Sequence, residues 1–305
     1  MDNELIKSRN VAKCVSAALA LFNGNIKRIV SALWLPILVG AIVMAANMTI
    51  SFSADRLGKN VSVIPYVVTV AILMGFVVYV WLSAALFNLL NAQGLKRNIL
   101  KVSKVVLAYL ALVVALSIIL GVAIVAYYFM SGSIDIQQPG AFNMLMLKMM
   151  GIIMLFSIIL GLLFLPFVYS YFAYMMEEGS FRKTFFPAYK VGLRHWGFLF
   201  VVFLVLGPIM FVLSAVLAMP LIILTSSQAI SLRGMMWGDP SGLPSYFPWL
   251  FFVTIVIVYC ILYMLLVWEN FVIYYAYGSI KRNELDRKAK AINHQDHEEN
   301  TVYRP

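Results

Sequence analysis

Residues 271–282 read Phe-Val-Ile-Tyr-Tyr-Ala-Tyr-Gly-Ser-Ile-Lys-Arg, and the rest of the sequence is organised around this stretch. It closes the last long apolar segment with aromatic side chains, a glycine and two cations. Glycine is the preferred residue just past a helix C-terminus, and Lys or Arg there complements the negative end of the helix dipole. The stretch therefore predicts that a membrane-spanning helix ends at Gly278, on the cytoplasmic side where cations concentrate.

The same pattern occurs twice earlier in the chain. Three phenylalanines each precede a glycine by seven residues: Phe87 and Gly94, Phe172 and Gly179, Phe271 and Gly278. A cation follows each glycine by three positions, although the glycines are unequally spaced along the chain. We interpret the pattern as a threefold repeat, in which each copy is an interfacial helix followed by a membrane helix hairpin.

The composition excludes a soluble globular protein. Hydrophobic residues make up 63% of the 305-residue chain and charged residues only 12%, whereas a soluble domain is about half apolar and about a quarter charged. Six apolar stretches are long enough to cross a hydrocarbon core of about 30 Å. They cover residues 29–50, 64–90, 105–130, 144–176, 198–224 and 249–277. The predicted fold class is all-α, a polytopic six-transmembrane-helix bundle with cytoplasmic interfacial amphipathic helices.

The distribution of Lys and Arg predicts the topology. Residues 1–28, 95–104, 177–196 and 281–305 hold 5, 4, 4 and 6 of these cations, whereas the three intervening regions hold 2, 1 and 1, if Lys148 at the start of the fourth span is counted with the loop before it. Positive charge marks the cytoplasmic side, so both termini are predicted to lie in the cytoplasm of a bacterium, with the chain in its inner membrane. The positive-inside pattern also accounts for the net charge of +10 without a nucleic-acid partner. We predict one membrane domain over residues 1–280 and a charged cytoplasmic tail over 281–305, disordered from His294 onward.

The connector at 177–196 is the clearest amphipathic segment. Apolar residues recur near every fourth position, while four cations face elsewhere: Arg182, Lys183, Lys190 and Arg194. Trp196 and Tyr189 suit the headgroup zone, where aromatic side chains with a polar tip accumulate. We therefore expect the connectors to contact membrane lipids through anionic headgroups, and a membrane-protein partner at the same surface stays open.

A resemblance rests on residues 174–196, which read Tyr-Met-Met-Glu-Glu-Gly-Ser-Phe-Arg-Lys-Thr-Phe-Phe-Pro-Ala-Tyr-Lys-Val-Gly-Leu-Arg-His-Trp. This stretch resembles a large bacterial group of six-helix membrane proteins of mostly unknown function. That group includes the membrane region of some glycerophosphodiester phosphodiesterases, whose soluble catalytic domain has no counterpart in this sequence. Similar chains are sometimes labelled beta-carotene monooxygenase. Carotenoid oxygenases, however, resemble soluble β-propellers with an iron held by four histidines, and this chain has three histidines.

Glu269 is the only acidic residue inside a predicted span, between Trp268 and Asn270. An intramembrane carboxylate is a functional candidate by default, for proton exchange or for a cationic substrate. The alternative, which we favour, is a structural ion pair with a cation such as Lys104, Arg194 or Arg28 that extends from the helix ends. Two asparagines within the spans, Asn47 and Asn88, are interpreted as hydrogen-bonding groups between helices.

Two groups of tyrosines lie near the ends of the fourth and sixth spans: Tyr169, Tyr171 and Tyr174, and Tyr274, Tyr275 and Tyr277. They would line a polar pocket or, as we favour, form an aromatic belt at the inner interface. His294 and His297 have a spacing seen in metal sites but belong to a polar terminal run. The sequence contains no nucleophile motif, phosphate loop or dinucleotide fingerprint, so we predict no catalytic residue, cofactor or metal.

Two hypotheses of function follow. The first is a non-enzymatic scaffold or assembly factor that uses its interfacial connectors. The second is a transporter or lipid-handling protein with a cavity near Glu269. An intramembrane enzyme has less support, because catalysis requires several converging groups and Glu269 is the only candidate that the spans offer.

Overall fold

The computed structural model describes the backbone of residues 5–57, 64–130, 141–240 and 242–302, with side chains for the same ranges except 51–57, 64–65, 67–68, 127–130, 141–146 and 293–302. Over these ranges the protein is all-α and contains no strand. The eight helices are α1 (Val11–Gly24), α2 (Ile26–Leu57), α3 (Ile64–Asn91), α4 (Leu95–Met130), α5 (Ala141–Met176), α6 (Phe181–Arg194), α7 (Trp196–Met236) and α8 (Phe247–Val302).

Six of the described helices are long and apolar enough to cross a membrane. The segments are Ile26–Ile50 in α2, Thr69–Asn91 in α3, Leu95–Ala126 in α4, Leu147–Met176 in α5, Trp196–Met236 in α7 and Phe247–Ile292 in α8. The prediction of a multi-pass, all-α membrane protein is confirmed. The other two helices, α1 and α6, have 14 residues each, which is too short to cross a hydrocarbon core of about 30 Å.

Three helix boundaries differ from the sequence prediction. The connector at 95–104 is not a separate helix, because α4 runs without interruption from Leu95. Helix α7 continues to Met236, well into the predicted outer loop at 225–248. Helix α8 continues through Val302, where a disordered end was predicted. The tail contains no Gly or Pro after Gly278 until residue 305, and an ion pair one turn apart, Arg282 with Asp286 at 3.1 Å, supports the extension.

Two predicted loops fall partly or wholly outside the described residues. The predicted loop at 51–62 is helical up to Leu57, and residues 58–63 are not described. The predicted loop at 131–140 lies outside the described residues.

The chain divides into two compact units, Met1–Ile99 with Phe200–Pro305, and Leu100–Leu199. In the first unit α2 packs on α3 and α8, and α1 packs on α8. A Cβ atom added at Gly40 of α2 would lie 2.8 Å from Val78 of α3 and 3.1 Å from the Tyr263 ring of α8. Glycine at this position lets the three helices approach closely. The prediction of one membrane domain over 1–280 concerns how the units join and stays a prediction.

The residues before α1 pack along the C-terminal half of α8. The Arg9 N–H donates to Ser279 Oγ at 3.0 Å, and that hydroxyl donates to the Arg9 carbonyl at 2.9 Å. The Leu5 carbonyl lies so close to Gly278 that any Cβ atom there would clash. The Arg9 guanidinium lies 4.8 Å from the centroid of the Tyr275 ring. The prediction that Gly278 ends a helix is therefore wrong, since this glycine lies inside α8 and makes room for the N-terminal segment.

The second unit is built around an antiparallel pair, α5 and α6. At one end the ring of Phe181 lies 5.2 Å from that of Tyr174, and at the other end Trp196 reaches Leu162. Helix α6 thus runs back along the last half of α5. Val105 of α4 packs with this pair in the unit's core.

The junctions that lead from the short helices into the long ones are alike. Asn25 separates α1 from α2, and His195 separates α6 from α7. In both cases the carbonyl of the separating residue accepts from the residue four positions on, Ile29 at 2.9 Å and Leu199 at 3.1 Å. Both of these residues are buried. The likeness supports two copies of the predicted repeat, while the copy at 95–104 has no such junction.

The three repeated phenylalanines are buried to the same degree: Phe87, Phe172 and Phe271. The glycines that follow them differ in structure. Gly94 has a φ of +92° and lies in the turn after α3, where its left-handed backbone favours glycine. Gly179 lies in the short link between α5 and α6. The sequence pattern therefore marks a shared aromatic packing position in all three copies and a helix end in two of them, since α3 ends at Asn91 and α5 at Met176.

Candidate functional site at the α5–α6 hairpin

Helix α6 has two chemically distinct faces. Its inner face consists of Phe185, Ala188 and Gly192, which are buried. Its outer side carries exposed cations, namely Arg182, Lys183, Lys190 and Arg194, and no residue of α6 is acidic. The structure places all four predicted connector cations on one short helix outside the spanning segments.

The inner face docks at Pro166, which lies inside α5. Proline has no N–H, so the carbonyl of Leu162, four residues earlier, loses its helical donor. The indole Nε1 of Trp196 donates to this carbonyl at 3.2 Å. A Cβ atom added at Gly192 would lie 2.9 Å from Pro166 Cα. The glycine therefore allows α6 to approach the proline, and the tryptophan satisfies the carbonyl that the proline leaves unpaired.

Tyr189 makes a second contact of the same kind. Its hydroxyl donates to the carbonyl of Leu163 at 3.2 Å. Burial raises the pKa of the Tyr189 phenol, which therefore keeps its proton and stays a donor at neutral pH. The sequence predicted that Trp196 and Tyr189 would serve the headgroup zone. The structure adds that both tie α6 and the start of α7 to the backbone of α5.

Aromatic rings continue from α6 to α4. The ring of Phe185 lies 5.2 Å from that of Phe167 on α5, which lies 5.4 Å from that of Tyr109 on α4. Beyond these rings is a cavity of about 270 Å³ between α4 and α5, lined by residues that include Tyr109, Leu116, Leu160, Gly161 and Phe167. We refer to it as the α4–α5 cavity. Its walls are almost entirely apolar.

A buried cation holds the end of α5. Lys101 Nζ donates to the carbonyl of Tyr174 at 3.0 Å and to that of Glu177 at 2.8 Å, and lies 5.3 Å from the Tyr174 ring centroid. The ammonium group thus binds carbonyls at the negative end of the helix dipole. Lys101 is one of the four cations of the connector at 95–104, but only 5% of its surface is exposed, so it serves the protein interior.

Glu269 is half-buried on α8. Among the described residues of its own unit, no hydrogen bond or ion pair reaches its carboxylate, so the pair suggested with Arg28 is not formed. The pairs suggested with Lys104 and Arg194 would join the two units and stay predictions. Trp268 is mostly buried, and its indole Nε1 has no acceptor among the described residues.

Two of the asparagines in the spans, Asn270 and Asn88, form hydrogen bonds within or directly after their own helices. Asn270 Nδ2 donates to the Leu266 carbonyl one turn earlier, at 2.7 Å. Asn88 Oδ1 accepts from the Gly94 N–H at 3.0 Å and so closes the turn after α3. The interpretation of Asn88 as a hydrogen-bonding group between helices is therefore wrong. Asn47 Oδ1 is buried and has no hydrogen-bond partner among the described residues.

Five of the six tyrosines that were expected at the inner interface are buried: Tyr169, Tyr174, Tyr274, Tyr275 and Tyr277. They are part of the protein core rather than an aromatic belt in contact with lipid. No group of three or more His, Cys, Asp or Glu side chains converges as a metal site within the described part of the chain. The side chains of His294 and His297 lie outside that part.

Comparison with protein-family models, with curated proteins and with solved structures finds no match to the chain.

Proposed function

We propose that this protein is a non-enzymatic scaffold or assembly factor of a bacterial inner membrane, with both termini in the cytoplasm, and that it associates with anionic lipid through α6. The observation that carries the proposal is the construction of α6. Four exposed cations stand on a helix without acidic residues, and its opposite face is fixed to α5 at Pro166.

Electrostatics favours a membrane surface as the partner of this face. Each Lys or Arg near an anionic leaflet contributes about 1 kcal/mol of attraction, and salt screens the effect within a Debye length. Phe186 and Leu193 are exposed beside the cations, and apolar side chains in this position enter the boundary between headgroups and acyl chains. The resemblance of residues 174–196 to connectors of bacterial six-helix membrane proteins supports the same role.

Charge reversal tests the proposal. The test variant changes Arg182, Lys183, Lys190 and Arg194 to Glu. The control changes four exposed cations of the α8 extension to Glu: Arg282, Arg287, Lys288 and Lys290. The measurements are the phosphatidylglycerol retained in native mass spectra and the size of the complex extracted from membranes. We expect both to fall in the test variant only. Unchanged values in the test variant would reject the proposal.

The second candidate is a transporter or lipid-handling protein that uses Glu269. The observation in its favour is a half-buried carboxylate that no described residue of its unit meets in a hydrogen bond or ion pair, next to the Trp268 indole N–H, which has no acceptor in the described part of the chain. Transbilayer movement of a fluorescent phospholipid in proteoliposomes, compared at pH 6 and pH 8, separates the candidates. Lipid movement that depends on pH, and that the Glu269→Gln variant abolishes, would establish transport. The scaffold proposal expects no movement and an unaltered complex in Glu269→Gln.

A further inference from the structure

The walls of the α4–α5 cavity come from one face of each helix. The lining residues include Tyr109, Val113 and Leu116 of α4 and Leu160, Phe164 and Phe167 of α5. In both sets the residues recur at spacings of four and seven positions, which places each set on one side of its helix. A Cβ atom added at Gly161, which also lines the cavity, would meet no atom within 4 Å. The two faces therefore leave room between them that the protein itself does not fill.

Three aromatic rings bound one end of this cavity. The ring of Tyr109 lies 5.4 Å from that of Phe167 and 6.2 Å from that of Phe164, and the two phenylalanine rings are nearly parallel, with centroids 6.3 Å apart. Aromatic rings attract a further ring through offset-stacked or edge-on contacts at centroid distances of about 4.5–7 Å. The other end, at Leu116 and Leu160, is aliphatic. One end of the cavity thus suits a planar conjugated ring and the other end suits an apolar chain.

The hydroxyl of Tyr109 is the one polar side-chain group among the described residues that line the cavity. It forms no hydrogen bond with any residue that the structure describes. Tyr109 belongs to the spanning segment Leu95–Ala126, where water does not compete for the donor. An oxygen atom of a bound molecule would supply the missing acceptor. A carbonyl group suits an apolar cavity best, because it accepts a hydrogen bond and has no hydrogen of its own to leave unpaired.

We propose that the α4–α5 cavity binds the head of an isoprenoid quinone, with a ring carbonyl that accepts from the Tyr109 hydroxyl. Such a molecule combines a planar conjugated ring, carbonyl oxygens and an apolar chain, and each part has a counterpart in the cavity. The volume of about 270 Å³ lies just below the range of about 300–1,000 Å³ for sites that bury a whole drug-sized ligand. The cavity therefore takes the ring and the start of the chain, and the rest of the chain stays in lipid. The inference goes beyond the proposed function and does not depend on the cations of α6.

Binding of two matched probes to the full-length protein in detergent tests the inference. The first probe is a menaquinone with two isoprene units, and the second is the same substituted naphthalene without the carbonyl oxygens. Tyr109→Phe keeps the ring and removes the hydroxyl. We expect it to weaken binding of the menaquinone on the order of fivefold, which corresponds to one hydrogen bond of about 1 kcal/mol, and to leave binding of the naphthalene unchanged. Tyr246→Phe, at an exposed tyrosine outside the cavity, is the control.

A second variant tests the cavity independently of the hydroxyl. Gly161→Leu fills the gap between the walls, and we expect both probes to bind on the order of tenfold more weakly, because a filled cavity has no room for the ring. Gly151→Leu is the matched control, since a Cβ atom at Gly151 of α5 also meets no atom within 4 Å. Wild-type affinity of a folded Gly161→Leu variant for the menaquinone would overturn the inference.

Photolabelling locates the bound ring. A menaquinone probe with an azide on its ring should attach to peptides that contain residues 109–116 or 160–167, and Gly161→Leu should reduce this labelling. Labelling confined to other segments overturns the inference, and so does a Tyr109→Phe variant that binds the menaquinone as the wild type does. If that variant instead retains less phospholipid at unchanged affinity for the menaquinone, the hydroxyl serves a lipid ester carbonyl and the quinone site is rejected.

Discussion

The indole Nε1 of Trp196 donates to the carbonyl of Leu162 at 3.2 Å, and this is the carbonyl that Pro166 leaves without a helical partner. A proline inside a membrane helix requires another group to satisfy the freed backbone. Here the first residue of α7 provides it. The start of α7 is thus tied to the turn of α5 that precedes Pro166, and α6 is held against α5 by Tyr189 and Gly192.

We expect Trp196→Phe to lower the stability of the protein by about 1 kcal/mol, the usual contribution of one hydrogen bond, because the ring is kept while its N–H is lost. The measurement is the unfolding temperature in detergent. Trp237→Phe is the control, since Trp237 is 80% exposed. An equal unfolding temperature in the two variants would contradict the role given to the Trp196 N–H.

We expect Lys101→Met to destabilise the protein by roughly 2 kcal/mol, because hydrogen bonds from a charged donor contribute more than neutral ones. The variant leaves the carbonyls of Tyr174 and Glu177 without the ammonium group at the end of α5. Lys104→Met, three residues along α4 and exposed, is the control for loss of one positive charge. If the two variants unfold at the same denaturant concentration, Lys101 does not cap α5.

Ser279→Ala removes both hydrogen bonds that join α8 to the backbone of Arg9. We expect amide hydrogen exchange in the segment before α1 to accelerate by roughly tenfold, which corresponds to about 1.4 kcal/mol, within the range for one or two hydrogen bonds. The control is Ser16→Ala on the exposed side of α1. Exchange at the wild-type rate would show that the segment is held by Leu5 and Tyr275 rather than by Ser279.

The sequence predicted the fold because its strongest signal is composition. Six apolar stretches of this length can cross a bilayer only as helices, because every backbone polar group in the hydrocarbon needs a hydrogen-bond partner within the protein. It also identified α6 and its four cations, because a 3.6-residue period with charge on one side is readable in a single segment. The roles of Gly278 and Lys101 were not readable. In sequence, a glycine that ends a helix cannot be told from one that makes room for a neighbouring segment, as Gly278 does. A lysine that caps a helix differs from a surface lysine only through its contacts, and those of Lys101 are with residues more than 70 positions away.

The last prediction concerns Cys14, which is fully buried on α1 against α8. Burial raises the pKa of its thiol from 9.0 to about 11, although the charge of Arg9 acts in the opposite direction. The folded state therefore favours the protonated thiol. Its contribution to stability is complete below pH 9 and is lost as the pH rises toward 11, because the unfolded chain ionises first.

We accordingly expect the denaturation midpoint of the wild type to fall more between pH 8 and pH 10.5 than that of Cys14→Ala. At pH 8, alkylation of Cys14 by iodoacetamide in a Cys260→Ala background should be about 100-fold slower than in the unfolded chain, since two pH units reduce the thiolate fraction by that factor. Equal alkylation rates in the folded and unfolded protein would show that α1 does not stay on α8. That result would also remove the physical basis for the pH dependence, because the thiol would then lie in water.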